Sequence, residues 1–168
     1  MQYREILFKG SQILRDNNIK SPGLDCELIL SKVLNKKREE ILINLNKKIN
    51  KSQENRFVFY LNKRRNKKPI SYILGFKYFW KYKFYINNST LIPRPESEHL
   101  VEQCLKYIPI GRSKKILDIG TGSGCLIISI LKERYNCNAT ALDLSKEALK
   151  VAKINAKLHH LENKIKFF

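Results

Sequence analysis

Acidic residues are scarce in this chain of 168 residues: 15 aspartates and glutamates stand against 33 lysines and arginines, a net charge of +18. Long apolar runs are missing as well, and none approaches the roughly 20 residues that a membrane-spanning helix needs. The first residues, MQYREILFKG, lack the apolar centre of a signal peptide. We therefore expect no membrane segment, and a reducing cytoplasm is the simplest compartment.

Cysteine and histidine are few and scattered. The four cysteines form no Cys-x-x-Cys pair and have no histidine nearby, which argues against both a zinc site and a disulfide framework. The three histidines have no acid or nucleophile spaced to form a catalytic pair, so packing or solvent contact is their expected role. These residues are Cys26, Cys104, Cys125, Cys137, His99, His159 and His160.

The excess of basic charge has two interpretations. It suits attraction to nucleic acid or to an RNA-rich assembly. It also fits a chain in which lysine, asparagine and isoleucine are abundant throughout, with NKKRE, NKKINK and NKRRNKK as solvated surface. Because these runs carry no interleaved aromatics or glycine-rich loops that stack on bases, we favour the second interpretation. Nucleic acid would then be contacted only through a non-specific basic surface.

Apolar residues recur at helical spacing in the first part of the chain, and residues 1–66 predict a small helical bundle with short connections. Ser52 is a candidate N-cap of one helix. The predicted inward positions are Ile6, Leu7, Ile13, Leu14, Leu24, Leu28, Val33 or Leu34, Phe57, Tyr60 and Leu61.

The composition of the sequence changes at Pro69. PISYILGFKYFWKYKFYI is rich in aromatic and β-branched residues and is broken by Gly75, which is typical of a strand or a β-hairpin. TLIPRPESE follows as an extended segment that its prolines stiffen. Residues 67–95 thus predict a hairpin and a proline linker, and the helix that follows begins with acidic residues in its first turn.

Strand and helix patterns alternate from Lys114 onward. KKILDI, NATALDL and KIKFF predict strands, and CLIISILKERY and SKEALKVAKINAKLHH predict helices, the second capped by Ser145. This order is the opening of a doubly wound parallel sheet. Three strands and two helices leave one sheet edge and much apolar surface uncovered, so residues 96–168 predict half of an α/β domain.

The turn after the first of these strands reads DIGTGSG. Gly120, Gly122 and Gly124 allow the backbone to approach a ligand closely. Asp143 ends the next strand about 20 residues further on, where an acid accepts hydrogen bonds from ribose hydroxyls. Asp118 adds negative charge beside the helix N-terminus, which disfavours pyrophosphate and suits a cationic ligand. We therefore predict S-adenosylmethionine, which carries a sulfonium and an ammonium beside its adenosine. The alternative is a turn that only packs helix against strand.

Two further features give a family resemblance. The motif Asp-x-Gly-x-Gly-x-Gly followed by an acid resembles the cofactor motif of class I methyltransferases. LIPRPESE, GFKYFW and the helical GLDCELILSKVL resemble the release factor glutamine methyltransferases of the HemK type. The resemblance implies an α/β fold, in which a small N-terminal helical bundle precedes the first half of a class I methyltransferase Rossmann-like doubly wound sheet. In the family the first domain engages the release factor.

The resemblance also implies which residues bind the cofactor. Pro93 and Pro95 fix the backbone around Arg94, whose guanidinium can then hold a carbonyl or a carboxylate at the pocket. A linker whose prolines only stop a helix is the alternative. Phe79 and Trp80 are candidates for the pocket wall or for the core. The implied cofactor-binding set is Asp118, Gly120, Thr121, Gly122, Ser123, Gly124, Asp143, Arg94 and Pro95.

Members of this family methylate the glutamine amide of the Gly-Gly-Gln motif in peptide chain release factors, at an Asn-Pro-Pro-Tyr motif. The five prolines of this chain form no such motif, so we expect no catalytic residue and no independent catalysis. The sequence is interpreted as a fragment of that enzyme, with S-adenosylmethionine as cofactor, no metal, and a release factor as partner. The alternatives are a fragment of an adenine-N6 nucleic-acid methyltransferase and a non-catalytic remnant.

Overall fold

The computed structural model describes all 168 residues, which divide into two compact units, Met1–Leu74 and Gly75–Phe168. The first unit is helical and contains α1 (Tyr3–Asp16), α2 (Pro22–Leu34), α3 (Arg38–Leu42), α4 (Lys51–Arg65) and α5 (Ile70–Leu74). The second unit contains β1 (Phe76–Phe79), β2 (Tyr82–Tyr85), a 3-10 turn (Pro95–Ser97), α6 (Glu98–Tyr107), β3 (Lys115–Ile119), α7 (Cys125–Glu133), β4 (Asn138–Leu142), α8 (Lys146–Leu158) and β5 (Ile165–Phe167). None of the helices combines the length and the hydropathy that crossing a bilayer requires.

The predicted apolar positions of the helical unit are buried or half-buried, except for two that are wrong. Ile13 is 38% exposed and Leu24 is 45% exposed. In α2 the buried stripe runs one residue away from the predicted one, whereas in α1 the predicted Ile6 and Leu14 are buried and only Ile13 faces outward. The buried residues are Tyr3, Ile6, Gly10 and Leu14 in α1 and Asp25, Cys26, Ile29, Leu30 and Val33 in α2.

A charged pair is built into the core of this unit. Asp25 is only 2% exposed, and its carboxylate accepts a hydrogen bond from Nε of Arg64 at 2.6 Å. The hydroxyl of Ser21 donates to the other carboxylate oxygen at 3.2 Å. The guanidinium also donates to the carbonyl of Lys68 at 3.1 Å. The pair therefore joins α2 to α4 with its polar atoms satisfied, which is the condition under which a buried ion pair is tolerated.

The helix caps agree with the prediction in one case and differ in the other. Ser145 caps α8 as predicted, accepting the backbone N–H of Ala148 at 3.2 Å. The prediction of Ser52 as the cap of α4 is wrong, since Asn50 occupies that position. The Asn50 side chain accepts from the N–H of Gln53 at 2.8 Å, and the Gln53 side chain accepts from the N–H of Asn50 at 3.0 Å. This reciprocal pair satisfies two N–H groups at once, which a serine two residues later does not.

The aromatic segment forms a hairpin only in its second part. The residues before Gly75 form the short helix α5, so the prediction of a strand there is wrong; Pro69 fits the start of a helix and its carbonyl accepts the first backbone bonds. Gly75, with φ of +83°, then redirects the chain. β1 and β2 pair antiparallel as predicted, with Phe79 opposite Tyr82 across a two-residue turn.

β3, β4 and β5 form a parallel sheet in that order, which confirms the predicted α/β architecture. Helices α7 and α8 connect the strands and pack on the face that carries Ala139 and Ala141. On the opposite face of β3, Leu117 is 58% exposed and Ile119 is 75% exposed. β3 is paired on one side only, so the predicted open edge and uncovered apolar surface are both present.

Candidate functional site

The glycine turn and the predicted ribose acid lie at the same edge of the sheet. Ile119, the last residue of β3, is paired in register with Leu142, the last residue of β4. Since the strands are parallel, the turn after β3 and Asp143 after β4 emerge side by side. The N–H groups of Gly120 and Thr121 both donate to the carbonyl of Leu142, at 2.8 and 2.9 Å. These two bonds fasten the beginning of the turn to the neighbouring strand.

Two carboxylates hold the turn from different sides. Asp118 accepts a hydrogen bond from the hydroxyl of Thr121 at 2.7 Å. One oxygen of Asp143 accepts the N–H of Gly122 at 2.8 Å, and its other oxygen accepts the N–H of Ser145 at 2.9 Å. A carboxylate oxygen has two lone pairs, so Asp143 keeps acceptor capacity for further donors such as hydroxyl groups.

The two carboxylates also interact electrostatically. Burial raises the pKa of Asp118 above its ordinary value, the hydrogen bond from Thr121 lowers it, and the charge of Asp143 raises it further. No ion pair in the structure involves either carboxylate. A positive charge placed beside them would favour the ionised form of Asp118. The site is therefore suited to a cationic ligand and unsuited to an anion.

The three glycines of the turn differ in their surroundings. Gly120 and Gly122 have φ of +77° and +55°, and a Cβ on either would meet nothing within 4 Å. They therefore border open space from which a ligand can approach the backbone. Gly124 also has a positive φ, but a Cβ there would lie 3.1 Å from Cδ1 of Ile128 and 3.4 Å from Cβ of Ala152. Its lack of a side chain allows α7 and α8 to pack closely.

A buried asparagine of α8, which was not predicted from the sequence, forms a hydrogen bond with the backbone of the turn. Ser123 is 3% exposed, and its carbonyl accepts a hydrogen bond from Nδ2 of Asn155 at 2.8 Å. Asn155 belongs to α8 and is fully buried. The sequence did contain a clue: Asn155 lies on the apolar, buried face of α8, where an amide needs hydrogen-bond partners. The other buried residues of that face are Ala148, Val151, Ala152 and Ala156.

The proline segment makes no polar contact with the turn. Arg94 is exposed and stands at the N-cap of the 3-10 turn that Pro95 begins. Its guanidinium forms no ion pair and no hydrogen bond with the turn residues, whose bonds go to Asp118, Asp143, Leu142 and Asn155. A role for Arg94 and Pro95 in cofactor binding stays a prediction.

The two aromatic candidates have different environments. Phe79 is 1% exposed and packs edge to face against Phe84, so it belongs to the core. Trp80 lies in the hairpin turn; its N–H donates to Glu98 at 2.8 Å and its indole Nε1–H donates to Glu133 at 3.0 Å. Glu133 also accepts from the hydroxyl of Tyr82 at 3.1 Å. Trp80 thus fastens the hairpin to α6 and α7.

An apolar cavity of about 440 Å³ lies elsewhere in the same unit. It is lined by Gly75, Phe76, Lys83, Tyr85, Leu158 and His159. Burial lowers the pKa of His159, and the hydrogen bond to the carbonyl of Lys83 opposes that change. The cavity contains no residue of the glycine turn, so it is separate from the candidate site.

Two family models match the chain. The model described as the PrmC N-terminal domain matches residues 5–75, and the one described as a methyltransferase domain matches residues 110–167. The second match covers the three parallel strands with α7 and α8, and confirms that this half-sheet is of the methyltransferase type.

Curated relatives align with most of the chain. It is similar to the release factor glutamine methyltransferase of Coxiella burnetii, with 42% identity over 86% of this chain and 52% of that protein. The corresponding protein of Buchnera aphidicola is 41% identical over 85% of this chain and 52% of its own length. A bifunctional methyltransferase of Rickettsia felis is 34% identical over 98% of this chain and 37% of its own. The chain thus spans about half the length of the release factor glutamine methyltransferases that it matches.

Proposed function

From its similarity to release factor glutamine methyltransferases over most of its length, we propose that the chain belongs to their family and binds S-adenosylmethionine at the glycine turn. The observation that carries the proposal is the pair of carboxylates, Asp118 and Asp143, beside an open glycine backbone at the ends of two parallel strands. A nucleotide phosphate would meet two negative charges there. A nucleoside that carries positive charge would meet complementary ones.

The residues of the turn have distinct proposed roles. Asp143 retains lone pairs with which it would accept the ribose hydroxyls, since each of its oxygens holds one backbone N–H. Asp118 would supply the negative charge that faces the ammonium end. The backbone at Gly120 and Gly122 borders the open space and would lie against the ligand. When bound, S-adenosylmethionine supplies a methyl group on a sulfonium.

We assign the partner-binding role to the helical unit Met1–Leu74 and the partner to a peptide chain release factor. The match of residues 5–75 to the N-terminal domain of this family supports this assignment. The relatives are named for methylation of a release factor glutamine. The chain has no Asn-Pro-Pro-Tyr sequence, so no residue of it is assigned to the transfer step. Its proposed function is to bind the cofactor and the release factor.

Calorimetric titration of the purified chain with S-adenosylmethionine and with S-adenosylhomocysteine tests the cofactor site. Asp143→Ala removes the acceptor of two ribose hydroxyls, and hydrogen bonds to a charged group contribute about 1.5–3 kcal/mol each. We expect the affinity to fall roughly 100-fold or more. Asp16→Ala, an exposed acid in α1, is the matched control. Unchanged affinity in Asp143→Ala would refute the assignment.

Binding to a release factor, measured on an immobilised factor that contains the Gly-Gly-Gln loop, tests the partner. Binding to total RNA, and competition by RNA for the immobilised factor, test the nucleic-acid alternative, which the net charge of +18 would favour. We expect release factor binding that RNA does not displace. RNA binding with no retention on the release factor would instead support the nucleic-acid enzyme.

A further inference from the structure

The amide of Asn155 is fully engaged inside the second unit. The side chain is 0% exposed. Its Oδ1 accepts the N–H of Tyr85 at 2.7 Å, and its Nδ2 donates to the carbonyl of the same residue at 2.9 Å. The second Nδ2 hydrogen is directed to the carbonyl of Ser123 at 2.8 Å. One side chain of α8 therefore binds the end of β2 and the glycine turn together.

The arrangement needs a group with both donors and an acceptor. Toward Tyr85, the amide exchanges two hydrogen bonds with one residue, as a neighbouring strand would. Toward Ser123, it supplies a donor at a place where the residue is 3% exposed. An aspartate of the same shape has an acceptor for the Tyr85 N–H but no donor for the two carbonyls. A buried carbonyl without its partner is costly, because burial has removed the water that would replace it.

The bond to Ser123 completes the set of fastenings that fix the turn. Its beginning is bound to Leu142 of β4, and its middle, at Gly122, is bound to Asp143. Ser123 is the next residue, and its carbonyl is the point where the turn is bound to α8. Gly120 and Gly122 make no side-chain contacts that would restrict them, so the conformation of the turn depends on these backbone bonds.

From this geometry we infer that Asn155 is a positioning residue for the cofactor: it fixes the backbone of the turn that faces the ligand and couples the turn to the β1–β2 hairpin. Loss of its two donors releases the turn and the end of β2 together. The effect on the cofactor rests on the proposed function, whereas the coupling of the turn to the hairpin can be measured without any ligand.

The test compares Asn155→Asp with the wild-type chain and with Ser129→Ala. Ser129 is a matched control because it is a buried polar residue whose hydroxyl has no hydrogen-bond partner in the structure. Hydrogen exchange is measured at the amides of Tyr85 and Gly122, and at amides within α7 as an internal reference. Calorimetry with S-adenosylhomocysteine is the second readout. Asn155→Ser, which leaves space for a water molecule beside the carbonyls, is the second variant if the aspartate prevents folding.

We expect exchange at Tyr85 and Gly122 to increase about tenfold or more in the Asn155 variants while α7 keeps its protection, because loss of the two bonds that Nδ2 donates releases the end of β2 and the turn even where the aspartate keeps an acceptor for the Tyr85 N–H. Affinity for S-adenosylhomocysteine should fall by about tenfold or more, and Ser129→Ala should change neither readout. A uniform increase across α7 and the sheet, or unchanged exchange at the turn, overturns the inference. If the wild-type chain binds no S-adenosylhomocysteine, the proposed function fails, and the exchange pattern alone decides whether Asn155 couples turn and hairpin.

Discussion

The two units of this chain treat their fully or partly buried acids in opposite ways. In the helical unit, Asp25 lies 2.6 Å from a guanidinium nitrogen of Arg64, and the charges compensate each other. In the second unit, Asp118 and Asp143 approach the same turn and neither has a basic partner. A paired acid is part of the core, whereas two neighbouring acids without a basic partner, one of which has its pKa raised by burial and by the charge of the other, mark a candidate ligand site. The presence or absence of a basic partner therefore distinguishes a structural acid from one at a candidate site more clearly than burial does.

The largest expected effect comes from removing Arg64, the basic partner of Asp25. Arg64→Leu leaves the Asp25 carboxylate buried without its cation, which costs about 3–5 kcal/mol of the free energy of unfolding. Urea unfolding followed by circular dichroism measures this loss. Lys51→Ala is the control, because Lys51 forms an exposed ion pair with Glu54 at 3.5 Å, worth about 0–1 kcal/mol. A loss below about 1 kcal/mol in Arg64→Leu would contradict the role given to the buried pair.

The second-largest expected effect is a difference in stability between a buried leucine and a leucine on the uncovered face of β3, both in the second unit. Leu131 of α7 is fully buried, so Leu131→Ala should cost about 2–5 kcal/mol. Leu117 is 58% exposed on the uncovered face of β3, so Leu117→Ala should stay within about 0.5 kcal/mol. Both values come from urea unfolding of the same chain. Equal costs at the two leucines would show that the face of β3 is covered in solution.

A smaller effect separates two glycines of one turn. Both Gly120 and Gly124 have φ of +77°, so alanine at either should cost about 1–2 kcal/mol from backbone strain. Only at Gly124 would the added Cβ also crowd Ile128, at 3.1 Å. Gly124→Ala should therefore lower the thermal midpoint further than Gly120→Ala, while Gly120→Ala impairs S-adenosylmethionine binding at least as much. The reverse order of thermal midpoints would place the close packing at the wrong glycine.

The smallest expected effect concerns the stability contributed by Asp118, which has no basic partner. Burial raises the pKa of Asp118 in the folded chain, so its contribution to stability is present at low pH and is lost as pH rises through the folded pKa. Asp118→Asn should then match the wild type at low pH and unfold at a slightly higher temperature at neutral pH. Thermal scans at several pH values without ligand measure the difference. A neutral-pH midpoint below that of the wild type would mean that the carboxylate stabilises the apo turn.

The sequence allowed the turn and its acids to be predicted because the signal is local. Strand, glycine turn, helix and a following acid occur in order, so Asp118, Gly120, Gly122 and Asp143 could be placed at one sheet edge. Asn155 could not, since two of its partners lie on Tyr85, 70 positions away in the chain. A lone asparagine in a helix shows no such pairing until the hairpin is folded against it.

The fold was predictable to a similar depth. The alternation after Lys114 gave the parallel sheet, and the periodicity before residue 66 gave the bundle. The helix α5 was missed because its β-branched and aromatic residues favour a strand, and Pro69 and Gly75 at its two ends outweigh that preference. In α2 the stripe was displaced by one residue because Asp25 faces inward, which hydrophobicity alone does not predict.

The way Trp80 is bound has a practical consequence. It is the only tryptophan of the chain, and its indole N–H ends on a carboxylate of α7 while its backbone is bound to α6. Its fluorescence is therefore a label-free optical reporter of whether the hairpin is seated on those helices. Ligands, denaturants and substitutions that loosen the seat can be followed by light alone, in the unmodified chain.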